Sequence, residues 1–141
     1  MNKENILSKI SKMSEEELIN LACSTSDVEI LNNLAENGNC DVRWTVVENE
    51  NSPVELLVVL AKDEDRDVRM AVANNRNTPA DVLAMFASDK EERIRFAVAG
   101  NPNTPLYALE TLADDENLQV SEKAENVLKE RLMKGKCGIE R

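Results

Sequence analysis

Cys23, Cys40 and Cys137 are the only thiols in this 141-residue chain, and no histidine accompanies them. Histidine-based general-base, triad and zinc chemistry is therefore excluded. An odd number of widely spaced cysteines fits a reducing cytoplasm better than a disulfide framework. Cys23 and Cys40 read as small, partly buried fillers. Carboxylates are plentiful, with 27 Asp and Glu against 17 Lys and Arg, but they gather in turns and at helix starts. A general acid–base pair needs a desolvated cleft, which such positions do not offer. No Gly-rich phosphate loop, nucleophile elbow or metal motif is present in the sequence. We expect no enzyme, no cofactor and no bound metal.

The residues that can do other chemistry are Trp44, Met70 and Phe96, spaced 26 apart, each preceded by an arginine, Arg43, Arg69 or Arg95. Tryptophan, phenylalanine, methionine and arginine are enriched among interface anchors. On a helical wheel Trp44 falls roughly 200° from Val42, opposite the apolar side. Repeated each unit at a helix-packing distance of ~8–10 Å, the slot would make an exposed apolar row. These six residues are the candidate partner-binding set. The competing readings are that the large side chains wedge between repeats, and that the arginines pair with Asp63, Asp89 and their neighbours as an internal ladder.

The elements that must position this row share its period. Val42-Arg43-Trp44-Thr45-Val46-Val47 recurs as Val68 to Ala73 and as Ile94 to Ala99, each running on into Asn51-Ser52-Pro53, Asn77-Thr78-Pro79 or Asn103-Thr104-Pro105. A fixed period in the twenties marks a stack of units that cannot fold singly. Each unit reads as two short helices. Ser52, Thr78 and Thr104 are expected as N-caps with proline at the first helical position, and Ser26-Asp27 fits the same frame earlier. Leu31, Leu57, Leu83 and Leu109, with Leu34, Leu60, Phe86 and Leu112 three residues on, form one core face. Ala35, Ala61, Ala87 and Ala113 follow, where helices approach closely. Val42, Thr45 and Val46 and their equivalents face inward on the first helix. Asn49, Asn75 and Asn101 are expected to close that helix as turn braces tolerant of the left-handed conformation.

The ends depart from the period. Residues 3–12 and 14–23 read as two N-terminal cap helices, the second opened by a Ser14-Glu15-Glu16-Glu17 capping box. A single repeat domain over 1–132 is expected, with cap helices in 1–25, repeats over 26–119, a C-terminal cap helix over 120–132 and a flexible tail over 133–141. The net charge of −10 repels phosphate backbones, so nucleic acid is not the expected partner. No apolar run approaches a membrane span and the first thirteen residues are no signal peptide, so we expect a cytoplasmic chain off the membrane. Alanine and aliphatic residues dominate the apolar content, and aromatics make up 3%.

The pattern Val-Arg-x-Ala-Val-Ala-x-Asn-x-Asn-Thr-Pro, followed by Leu-x-x-Leu-Ala-x-Asp, resembles the leucine-rich repeat variant family over residues 26 to about 120. It is similar, more loosely, to HEAT repeats. The resemblance implies an all-α, right-handed superhelical solenoid of about four 26-residue repeats, α with α or α with 3-10 helix. A member type of that family carries an N-terminal iron–sulfur cluster on clustered cysteines; four thiolates are needed, and only Cys23 and Cys40 lie near this N-terminus. No cofactor is carried over. The expected function is a non-catalytic scaffold that binds a protein partner through its curved surface, as a monomer or weak homo-oligomer. The alternatives are a HEAT-like nucleic-acid-binding or DNA-repair module, and a structural repeat domain with no specific ligand.

Overall fold

The computed structural model describes residues 3–139, with side chains from Asn5 to Lys134. Among the described residues there are ten α-helices and no strand, so the all-α expectation holds. Residues up to Val72 form one compact unit and residues from Ala73 onward a second.

The first unit holds α1 (Lys3–Ile10), α2 (Glu15–Ser24), α3 (Val28–Leu34), α4 (Cys40–Glu48), α5 (Val54–Leu60) and most of α6 (Arg66–Asn74). α2 starts at the expected capping box. Ser14 Oγ accepts from Glu17 N–H at 3.3 Å while Glu17 returns a carboxylate to Ser14 N–H at 3.2 Å, satisfying two end amides at once. α2 packs on α4, and α3 and α5 also lie against α4. Leu31, Leu34, Leu57 and Leu60 are fully buried or nearly so, each stabilising by roughly 1.5–3 kcal/mol over an exposed position.

The second unit holds α7 (Ala80–Phe86), α8 (Glu92–Gly100), α9 (Leu106–Ala113) and α10 (Leu118–Ile139). α7 and α9 contact α8, and α10 lies along α9 and α8. Leu83, Phe86, Leu109 and Leu112 are buried as the period requires. α10 keeps the frame through Val120 and Ala124, both buried. It then continues as helix to Ile139, beyond the residue 132 at which the sequence suggests a tail; residues 140 and 141 of that tail lie outside the described residues.

Two local expectations are corrected. The hydroxyls before the prolines do not cap the following helices. Pro53, Pro79 and Pro105 are themselves the N-cap residues, in extended conformation and with no side-chain cap bond. Ser52 Oγ instead donates to Val46 O at 2.5 Å, and Thr104 Oγ1 to Val98 O at 2.6 Å. A hydroxyl can accept or donate, and here it donates to a carbonyl in the last turn of the preceding helix that also accepts the C-cap amide of Asn49 or Asn101.

Asn49 and Asn101 close α4 and α8 and brace the turns that follow, as expected, but the asparagines do not use the left-handed region. No described residue has positive φ, and Asn49 sits at φ −72°. Their side chains brace the fold over a longer range. Asn49 Nδ2 donates to Ala22 O at 2.7 Å and Thr25 O at 2.8 Å, while its Oδ1 accepts from Asn51 N–H at 2.8 Å. Asn101 does the same to Ala73 O and Asn75 O at 2.8 and 3.0 Å, and accepts from Asn103 N–H.

Candidate functional site

Trp44 is held outward by the residues around it. Asn39 Oδ1 starts α4 by accepting from Asp41 and Val42 N–H at 2.8 and 3.4 Å. Val42, Val46 and Val47 are fully buried and Thr45 nearly so, its hydroxyl bonded back to Asp41 O. With both of those arcs enclosed, the remaining face carries Trp44, 45% exposed. Asp41, three residues before it, and Glu48, four after, are exposed as well, and this spacing sets all three on one stripe of the helix.

Phe96 occupies the same slot in α8 and is 43% exposed. Ile94, Val98 and Ala99 are buried beneath it. The Lys123 ammonium of α10 stands over its ring, 6.0 Å from the centroid, at the outer range of a cation–π contact. Met70 is half-buried in α6. Of the three candidate anchors, then, the two aromatic ones present substantial surface and the methionine less.

The arginines take a different role from the one expected of a partner-binding set. Arg43 Nε and Nη2 grip Asp63 at 2.8 and 3.1 Å, and Nη1 donates to Asn37 O at 2.8 Å. Arg95 repeats this on Asp115 at 2.7 and 3.2 Å, with Nη1 on Asp89 O. The paired side chains are 8–12% exposed. Arg69 is buried, and its Nη1 donates to Asp63 O and Glu64 O, both at 3.0 Å. The guanidiniums therefore close turns from inside; the internal ladder reading describes Arg43 and Arg95 directly. The hydrogen bonds donated to Asp63 raise Arg43, and those donated to Asp115 raise Arg95, above the usual arginine range.

Other reactive groups are not assembled into a site. Burial, and after it the Asp65 carboxylate, push the Cys40 thiol up, which disfavours the nucleophilic thiolate. Among the described residues no group of three or more Cys, Asp or Glu side chains is placed to hold a metal ion. A recess of about 250 Å³ between α1 and α3 gathers Ile6, Leu7 and Ile30 with Asp27, Glu29 and Glu36. Asp27 is engaged in capping α3, accepting from Glu29 and Ile30 N–H. No described helix is long and apolar enough to cross a membrane.

The contact that sequence reasoning missed is Lys123 on Phe96. Its only signal was a lysine at a register position that holds alanine earlier, at Ala97 and Ala71. No curated protein and no solved structure matches the chain. Residues 92–117, one full period comprising α8, α9 and the turns after each, match the family model described as leucine rich repeat variant, so the resemblance carried by the Arg-x-Ala-Val-Ala and Asn-Thr-Pro motifs is shown over that stretch.

Proposed function

We propose that this chain is a non-catalytic repeat scaffold that binds a protein partner through the outward side of its first helices. Trp44 and Phe96 are the anchors and Met70 a lesser contact. The supporting observation is the exposure of two large aromatic side chains, 45% and 43%, beside apolar residues committed to packing and arginines committed to turn closure. Isolated exposed apolar residues are ordinary, but recurrence of aromatic bulk in one register position of a repeat is not accounted for by the fold. The arginines position the helices that carry the row. The 26-residue period and the family match over one unit support a right-handed superhelix of about four repeats as its framework. The wide cysteine spacing supports a reducing, cytoplasmic setting.

The test is affinity capture from the source cell with the wild-type chain beside W44A/F96A, after far-UV circular dichroism has shown equal helicity. A protein recovered by the wild type and lost by the variant supports the reading. Equal recovery of every captured protein by both chains overturns it.

A further inference from the structure

We infer that the Trp44 face receives a cationic side chain, lysine or arginine, from a basic segment of the partner protein. This rests on the reading of the aromatic slot as the binding surface and names the chemistry of what that surface takes.

The second unit holds an internal version of the contact. Lys123 stands 27 residues after Phe96 and brings its ammonium over that ring. The lysine stem passes beside Gly100, four residues after Phe96, where a Cβ would come to within 3.4 Å of Lys123 Cε. The ring and the cation form one arrangement, in which a lysine of α10 stands over a ring that stays partly exposed.

In the first unit the slot holds a better cation acceptor and the chain supplies no cation at the matching place. Twenty-seven residues after Trp44 the sequence has Ala71, whose side chain is a single methyl. Tryptophan has the most favourable ring face for cations. Where Gly100 follows Phe96, Glu48 follows Trp44, and Asp41 precedes it by three residues; both acids are exposed. A cation over the indole would lie between two carboxylates on the same helical stripe. The neighbouring Arg43 does not compete for that place, because its guanidinium is held by Asp63 and Asn37 O. The net charge of −10 draws a basic segment toward the chain and repels acidic ones.

Trp44 is the only tryptophan, so its emission reads the site directly. Hexalysine is titrated into the full chain at low and physiological salt. We expect a saturable change in emission, with D41N/E48Q weakening binding at least about fivefold. E110Q/E125Q removes two exposed acids elsewhere and should weaken it less than about twofold. E48Q alone leaves the first turn of α4 untouched and should show part of the effect if the double variant folds poorly. Equal weakening by the two double variants, or binding with unchanged emission, overturns the inference as general charge attraction. A cellular partner lost on W44A/F96A but fully retained by D41N/E48Q overturns the cation and leaves the binding row standing.

Discussion

Arg43 holds Asp63 through two parallel hydrogen bonds across twenty residues of chain, Nε to Oδ2 at 2.8 Å and Nη2 to Oδ1 at 3.1 Å. Asp63 Oδ1 also accepts from Asp65 N–H at 2.9 Å, and the third arm of the arginine reaches Asn37 O at 2.8 Å. One ion pair thus joins the turn before α4 to the turn after α5. Lysine would keep the charge but lose the fork and the third hydrogen bond. We expect R43K to destabilise the chain by about 1–2 kcal/mol and R43A by about 2–3 kcal/mol, between the values for exposed and buried pairs. Urea unfolding checks this. An R43K variant within ~0.5 kcal/mol of wild type would show that charge alone suffices and that the fork geometry contributes little.

The same pairing sets an acid limit. Burial alone would raise the Asp115 carboxyl, but the Arg95 guanidinium and Asn117 N–H outweigh it and hold the group below the usual carboxylate range. Asp65 is held low in the same way: burial opposes, and the Val68 and Asp67 amides with the Cys40 thiol prevail. A carboxyl with a lower pKa folded than unfolded contributes stability above its unfolded pKa, near ~3.9, which is lost as the pH falls toward the folded value. From these two groups we expect little change in stability between pH 7 and 5 and a progressive loss below about pH 4. D115N should be less stable at pH 7 and lose less on acidification, with Asp65 accounting for part of what remains. Thermal melts of both chains from pH 7 to 2.5 measure it; parallel profiles would remove Asp115 from the explanation.

What was legible in the sequence is what a period can show. The Leu31 and Leu57 series, the alanines after it and the outward Trp44 slot all follow from counting along one helix. The Asn49 bonds do not, because their acceptors Ala22 O and Thr25 O lie 27 and 24 residues away. Local rules for asparagine describe its own backbone and are silent about a helix end one repeat earlier. The burial of Val47, Ala73 and Ala99 was also missed. A wheel with a single apolar side assumes one packed face, whereas these helices are enclosed on two. Lys123 falls in the expected C-terminal cap helix; that its ammonium stands over Phe96 depends on how α10 packs on α8, which the repeat pattern does not declare.

Thr104 tests the corrected capping account. An N-cap position accepts aspartate as well as threonine, because both supply an acceptor oxygen. Here the hydroxyl is a buried donor to Val98 O, and a carboxylate cannot donate when ionised. We expect T104S to stay within about 1 kcal/mol of wild type and T104D to cost about 2–4 kcal/mol, since it sets a buried charge against a carbonyl. Equal stability of T104D and T104S in urea would restore the capping role.

Arg131 closes the series of side-chain locks. Asn101 and Asn103 take the carbonyls of Asn75, Arg76 and Thr78. One period later the equivalent carbonyls are those of Asn101, Pro102 and Thr104, and all three are taken by the Arg131 guanidinium. The positions where further asparagines would fall are Val127 and Lys129, neither of which carries an amide. A planar fork with five donors can do from one turn further along α10 what two asparagines do upstream. The terminal helix is thereby fixed to the turn between α8 and α9, with Val120 and Ala124 buried nearer its start. R131A should therefore leave the first turns of α10 protected and speed amide hydrogen exchange in its later turns and over residues 101–104. R131K should recover part of the protection, since an ammonium can reach fewer of the three carbonyls. Hydrogen exchange read by mass spectrometry decides it: unchanged exchange in both segments for R131A would mean that apolar packing alone holds α10 and that the guanidinium contacts add nothing.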